Sequence, residues 1–138
     1  MKVVVIDGQG GKIGKIIVEQ ICKTLPECDL LVIGTNSVAT ESMLKGGAKN
    51  AATGENPVVV ACRDTDFIIG PVGIVLADAM FGEITPVMAH AISSSSAHKI
   101  LIPVNKCVTI AGIQEMSLNE YIDIAVEKLV SFYKKPIE

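Results

Sequence analysis

The chain has 138 residues, which fits one domain that can bury roughly two thirds of its unfolded surface in a single core. Hydrophobic residues make up 49% of it, but there are only three Phe, two Tyr and no Trp, so we expect an aliphatic core, as in a parallel sheet covered on both faces. The net charge of -3 and the lack of a basic run argue against binding to nucleic acid or to an anionic membrane surface.

Residues 1–14 predict the start of a doubly wound nucleotide-binding fold. Residues 3–6 are a continuous apolar run typical of a strand buried on both faces, and residues 12–24 have the spacing of an amphipathic helix. The glycine-rich turn between them lets a phosphate approach the backbone N–H groups at the start of the helix. The residues that we predict to bind a ligand in this turn are Gly8, Gly10, Gly11, Lys12 and Gly14.

Residues 30–33 are the predicted second strand, and polar residues follow it at the carboxyl edge of the sheet. In a dinucleotide site an Asp or Glu at this point accepts the 2′-hydroxyl of NAD. Here Thr35 and Asn36 are neutral, although both can form hydrogen bonds with a ribose or a phosphate. The missing carboxylate weakens the case for NAD, and no Arg stands nearby to favour NADP.

The rest of the chain alternates between helix and strand patterns, which predicts parallel strands with right-handed crossovers. The predicted helices cover residues 37–45, a segment from 57 to 62, 73–81, 85–92 and 118–133; the predicted strands cover 49–52 (weak), 67–69, 100–102 and 108–110. We therefore predict one α/β domain over residues 1–138, a three-layer doubly wound (Rossmann-like) sheet, mostly parallel, with about five to six strands.

Two further turns are expected at the same edge of the sheet, where ligands of open α/β sheets bind. The first contains Gly70 and Gly73, and the second contains Asn105 and Lys106, which can contact an anionic substrate. The acidic residues nearest this edge are Asp78 and Glu83. Because the predicted helix around Asp78 is apolar, we expect its carboxylate to be buried with a partner or a raised pKa.

We find neither a targeting segment nor an apolar run near the roughly 18 residues of a membrane span, so we expect a cytoplasmic protein. The four cysteines form no Cys-x-x-Cys pair and have apolar neighbours, so we expect free thiols in apolar surroundings and no metal site. The terminal helix is apolar on more than one side, which predicts either deep burial or contact with a second subunit in a homodimer.

The chain as a whole resembles a bacterial family of about this length that is classed as a domain of unknown function. The resemblance covers nearly all of the chain, and it rests on residues 3–15 (VVVIDGQGGKIGK), 34–36 (GTN), 52–56 (ATGEN), 70–74 (GPVGI), 82–86 (GEITP) and 102–107 (IPVNKC). It implies a Rossmann-like fold and brings no known activity to these residues.

Three functional hypotheses follow. The first is a module that binds a nucleotide or another phosphate-bearing small molecule at residues 8–14. The second is an NAD(P)-dependent oxidoreductase whose site is completed by a second subunit; an acid–base residue facing the nicotinamide would favour it. The third is a structural or assembly subunit with a vestigial loop, and side chains blocking the loop would favour it.

Overall fold

The computed structural model describes residues 1–134, which form a five-stranded sheet covered by helices on both faces. The strands are β1 (Lys2–Asp7), β2 (Asp29–Gly34), β3 (Asn50–Thr53), β4 (Phe67–Pro71) and β5 (His98–Ile102). The helices are α1 (Lys12–Thr24), α2 (Ser37–Lys45), α3 (Glu55–Ala61), α4 (Pro86–Ser94) and α5 (Leu118–Lys134), with a short 3₁₀ helix at Val72–Val75. The predicted Rossmann-like α/β fold is confirmed.

All neighbouring strands pair in parallel, in the order β3-β2-β1-β4-β5. The chain runs outward from β1 to β3 and then returns to the other side of β1 for β4, so the strand order reverses between β1 and β4. Crevices at such reversal points are where open α/β sheets bind their ligands. The carboxyl ends of β1 and β4 therefore define the edge at which a site is expected.

Alternation along β1 divides the core into two layers. Val3 and Val5 are fully buried in the layer that contains α1 and α5, whereas Val4 and Ile6 pack in the layer that contains α3 and α4. Since each strand residue points to the face opposite its neighbour's, a continuous apolar run is required where both faces are covered. This is why residues 3–6 predicted their strand correctly.

The predicted helix over residues 73–81 is wrong. After the 3₁₀ helix the chain makes a tight reversal, in which Asp78, Met80 and Phe81 have φ values of 67°, 58° and 56°. The reversal is closed by the hydrogen bonds from the N–H of Asp78 to the carbonyl of Ile84 (2.7 Å) and from the N–H of Ile84 to the carbonyl of Ala79 (3.2 Å). It brings the fully buried Ile84 into the core, and this tertiary contact overrides the local helical pattern.

The predicted sixth strand over residues 108–110 is also absent, because residues 103–117 contain no strand or helix. Val108 and Ile110 are exposed, at 38% and 40%. β-branched residues favour a strand only when they pack on a neighbouring strand, and this segment pairs with none of the five.

Helix α5 uses most of its apolar surface within the chain. Ile122 and Leu129 are fully buried in the core layer formed with α1 and the sheet. Near its end, Phe132 stacks on Phe67 of β4 with 5.6 Å between the ring centroids. Ile124 stays 43% exposed. Within residues 1–134, no helix combines the length and the apolarity that a membrane crossing requires.

Candidate functional site

The glycine-rich loop lies at the carboxyl end of β1, beside the reversal point of the sheet. The N–H of Gly11 donates to the carbonyl of Gly8 (2.9 Å), which closes a tight turn, and α1 begins directly afterwards at Lys12. Gln9 and Gly11 are left-handed, with φ values of 49° and 71°. The predicted order of strand, tight turn and helix is therefore present, and the first turn of α1 points towards this edge.

The four glycines of the loop have different structural roles. A Cβ on Gly11 would lie 2.7 Å from the Cα of Ala39, and one on Gly14 would lie 2.6 Å from the Sδ of Met43, so both positions let α1 pack closely. Gly8 is enclosed in the same way by other side chains. A Cβ on Gly10, by contrast, would meet no heavy atom within 4 Å. Gly10 therefore leaves open space above the loop.

Asp7 lies beneath the loop and holds its two ends together. Its carboxylate accepts hydrogen bonds from the N–H of Gly8 (2.8 Å) and the N–H of Gly14 (2.7 Å) and is only 4% exposed. Burial raises the pKa of Asp7 to about 6. The two hydrogen bonds act in the opposite direction and lower this pKa, while the nearby charge of Glu83 adds to the increase. One carboxylate is thus already present at the positive end of α1.

A second carboxylate, that of Glu83, contacts the outer side of the loop. Its Oε1 accepts hydrogen bonds from the N–H of Gln9 (2.8 Å), the hydroxyl of Thr35 (2.7 Å) and the side-chain amide of Asn36 (2.7 Å). Burial alone would raise the pKa of Glu83, but these hydrogen bonds outweigh it, so the pKa lies below its usual value. Glu83 therefore stays ionised at the end of β2.

The position of Glu83 corrects the expectation that the end of β2 has no carboxylate. No carboxylate follows β2 along the chain, but the reversal after β4 delivers one there from 48 residues further on. Of the two acidic residues expected near this edge, Glu83 belongs to the loop, whereas Asp78 is exposed and lies in the reversal itself, not in an apolar helix. The proximity of Glu83 to Thr35 depends on tertiary structure, and only its place near the carboxyl edge was evident from the sequence.

Thr35 and Asn36 are brought to the loop as predicted. The N–H of Thr35 donates to the carbonyl of Asp7 (3.0 Å), and the side-chain amide of Asn36 donates to the carbonyl of Gln9 (3.0 Å). Asn36 also caps α2, because its side-chain oxygen accepts the N–H of Ala39. These contacts fix the end of β2 against the loop.

The site residues predicted from the second half of the chain differ in where the structure places them. Gly70 lies within β4, not in a turn, and a Cβ there would collide with the carbonyl of Ile6 on β1, so its role is strand packing. Gly73 lies in the 3₁₀ helix, where a Cβ would be 3.2 Å from the side-chain nitrogen of Asn105. Lys106 is exposed and makes no hydrogen bond or ion pair within residues 1–134.

Met80 covers part of the crevice between the two strand ends. A Cβ on Gly8 would lie 2.7 Å from its Sδ, and one on Gly73 would lie 3.7 Å from its Cε. Met80 therefore occupies space between the loop and the turn after β4. The open part of the site is the side of the loop at Gly10 and Lys12, both of which are exposed.

Three loop N–H groups remain available. Within residues 1–134, the N–H groups of Gly10, Lys12 and Ile13 make no hydrogen bond to the protein, while those of Gly8, Gln9, Gly11 and Gly14 have acceptors. Two of the available groups are in the first turn of α1, where backbone N–H groups favour an anion. The exposed side chain of Lys12 starts from the same turn.

A cavity of about 530 Å³ lies elsewhere, between α3 and α4, with Arg63, His90 and Ser94 in its lining. Cys62 belongs to the same lining. Burial raises the pKa of the Cys62 thiol to about 11, which keeps it protonated, while Cys107 is exposed, contrary to the expectation that all four would have apolar surroundings. We assign neither feature to the site.

Comparison with known families gives one match. The model of the family described as "Domain of unknown function (DUF3842)" matches residues 2–134. The chain belongs to the DUF3842 family. The resemblance seen in its motifs is thereby confirmed, and the DUF3842 match spans the loop, Glu83 and the turns at the carboxyl edge. No curated protein and no solved structure matches the chain.

Proposed function

We propose that this DUF3842 protein binds a nucleotide or another phosphate-bearing small molecule at the loop of residues 8–14. The observation that carries the proposal is the group of available N–H donors at Gly10, Lys12 and Ile13, beside the reversal point of the sheet. Backbone N–H groups at a helix N-terminus bind phosphate oxygens through hydrogen bonds and the helix dipole together. The open space at Gly10 supports the approach of a ligand to these donors.

The charges near the loop favour an anion of modest charge. Lys12 supplies one positive charge, whereas Glu83 is ionised and Asp7 ionises as the pH rises above about 6. The electrostatic potential at the loop is therefore less positive than in a loop flanked by basic side chains. The electrostatic penalty for binding a phosphate diester here is smaller than for binding a triphosphate.

A second candidate is a structural domain whose loop contacts only its own chain. It is favoured by Met80 over Gly8 and by Glu83 on the N–H of Gln9, because both groups occupy part of the loop. The oxidoreductase hypothesis has less support, since the carboxylate of Asp7 is enclosed beneath the loop and that of Glu83 is held by Thr35 and Asn36.

A thermal-shift screen with NAD, NADP, FAD, ATP, S-adenosylmethionine and coenzyme A tests the proposal. A ligand at about a hundredfold over its dissociation constant stabilises the folded state by about 2.7 kcal/mol. We expect a shift with at least one nucleotide and its loss in Gly10→Val, whose side chain enters open space above the loop. Ser131→Val, on the exposed face of α5, is the control and should keep the shift.

Two outcomes of the screen contradict the proposal. If no compound shifts the melting temperature of the wild-type protein, the structural candidate is preferred. If Gly10→Val folds normally and still responds to the ligand, the phosphate lies elsewhere than over Gly10.

A homodimer and a cytoplasmic location are further proposals, which rest on the sequence pattern. Ile124 belongs to the exposed apolar surface of α5 that we propose contacts a second copy of the chain. Light scattering at high protein concentration tests the dimer, and a monomer there would contradict it.

A further inference from the structure

We propose that Glu83 is the ribose acceptor of this site, so that the ligand is a nucleotide with an unmodified 2′-hydroxyl. The inference rests on the proposed function and names the ligand class more narrowly. Glu83 takes the place of the acidic residue that the sequence lacks after β2.

Glu83 is held at the carboxyl end of β2 by hydrogen bonds. In dinucleotide-binding sheets the carboxylate that accepts the ribose hydroxyls stands at the carboxyl end of the second strand, about 20 residues after the glycine loop. Thr35 and Asn36 occupy that position here, and both donate hydrogen bonds to Glu83 Oε1 at 2.7 Å. The carboxylate is therefore present at the expected point, although it comes from a segment after β4.

The carboxylate of Glu83 has a fixed orientation. Oε1 accepts three hydrogen bonds, from Gln9, Thr35 and Asn36, which fix the plane and direction of the carboxylate. Oε2 accepts no hydrogen bond within residues 1–134, and the side chain is only partly buried. Because an ionised carboxylate is purely an acceptor, the available oxygen suits a hydroxyl donor and repels a phosphate oxygen.

The two parts of the proposed site meet at neighbouring residues of the loop. The N–H of Gln9, which contacts Glu83, is next in the chain to the N–H of Gly10, which is available. A ligand whose phosphate contacts Gly10 and the first turn of α1 can therefore place its neighbouring sugar next to Glu83. A phosphate on the 2′-hydroxyl would instead face the charge of Glu83, which disfavours NADP relative to NAD.

Glu83→Gln separates this role from a structural one. The side-chain oxygen of Gln keeps an acceptor for Gln9, Thr35 and Asn36, while an NH₂ group replaces Oε2 and donates instead of accepting. Glu127→Gln, on the exposed face of α5, is the matched control, because it removes the same charge away from the loop. Circular dichroism and thermal melting establish that both variants fold.

The measurement is isothermal titration with ADP, 2′-deoxy-ADP and inorganic pyrophosphate. A hydrogen bond to a charged group is worth about tenfold or more in affinity. We expect wild type and Glu127→Gln to bind ADP at least about tenfold more tightly than 2′-deoxy-ADP, and Glu83→Gln to lose that preference while its affinity for pyrophosphate does not fall.

The outcomes distinguish the two levels of the proposal. If ADP and 2′-deoxy-ADP bind equally to wild type, or if folded Glu83→Gln keeps the preference, the ribose role is overturned while phosphate binding at the loop stands. If pyrophosphate binds and ADP does not, the ribose role is again overturned. If none of the three binds, and the nucleotide screen is also negative, the proposed function itself fails.

Discussion

The close packing of Gly11 predicts that Gly11→Ala destabilises the protein far more than Gly10→Ala, one residue away. At Gly11 the backbone is left-handed (φ 71°), and an added Cβ would lie 2.7 Å from the Cα and 2.8 Å from the carbonyl oxygen of Ala39. Both contacts are with the backbone of α2, which cannot move aside as a flexible side chain can. At Gly10 the same methyl group would meet no atom within 4 Å.

The magnitude follows from these two terms. Left-handed backbone costs a residue with a Cβ about 1–2 kcal/mol, and overpacking costs about 1–3 kcal/mol, so we expect a loss of about 2–5 kcal/mol for Gly11→Ala. Gly10→Ala has neither penalty and should stay within about 0.5 kcal/mol of wild type. The assay is urea unfolding followed by circular dichroism, with equal m-values as the check on comparability. Equal stability of the two variants would refute the packing argument.

Two other predictions concern Asp7 and Thr85. The pKa of Asp7 is about 6 in the folded state and 3.8 in the unfolded chain, so the folded state binds the proton more tightly. The free energy of unfolding should therefore fall by about 3 kcal/mol as the pH rises from about 4 to 6. Above about pH 7, Asp7 should make no further contribution to the pH dependence of stability. Urea titrations of wild type and Asp7→Asn over this range measure the difference in slope, and equal slopes would contradict the raised pKa. Thr85→Ala removes the hydroxyl that caps α4 by accepting the N–H of Met88 (3.1 Å) and should cost about 1 kcal/mol in thermal or urea unfolding. Thr24→Ala, whose hydroxyl bonds only the carbonyl of Gln20, should cost less, and the reverse order would count against the cap.

Local patterns predicted the parts of the fold in which local and tertiary preferences agree. The apolar runs in β1, β2 and β4 are buried on both faces, so their composition alone indicates central strands of a parallel sheet. The loop of residues 8–11 was predicted because its glycines serve a turn that is local in the chain.

The errors lie where distant contacts decide the conformation. Residues 73–81 have a helical pattern, but the burial of Ile84 and the left-handed residues around Met80 turn the chain back instead. Residues 108–110 have strand composition but pair with no strand. The contact between Glu83 and Thr35 spans 48 residues, so local periodicity could not supply the carboxylate at the end of β2.

Glu83 connects two parts of the molecule that lie on opposite sides of the reversal point in the strand order. The segment after β4 leaves the sheet on one side of the reversal point, and its carboxylate is held by the loop after β1 and by the end of β2 on the other side. The first βαβ unit therefore contains the whole glycine loop but not the carboxylate of Glu83. A fragment ending after β3 would keep the proposed phosphate donors and lose the proposed sugar acceptor, so the proposed selectivity for a nucleotide would require both halves of the sheet to be folded together.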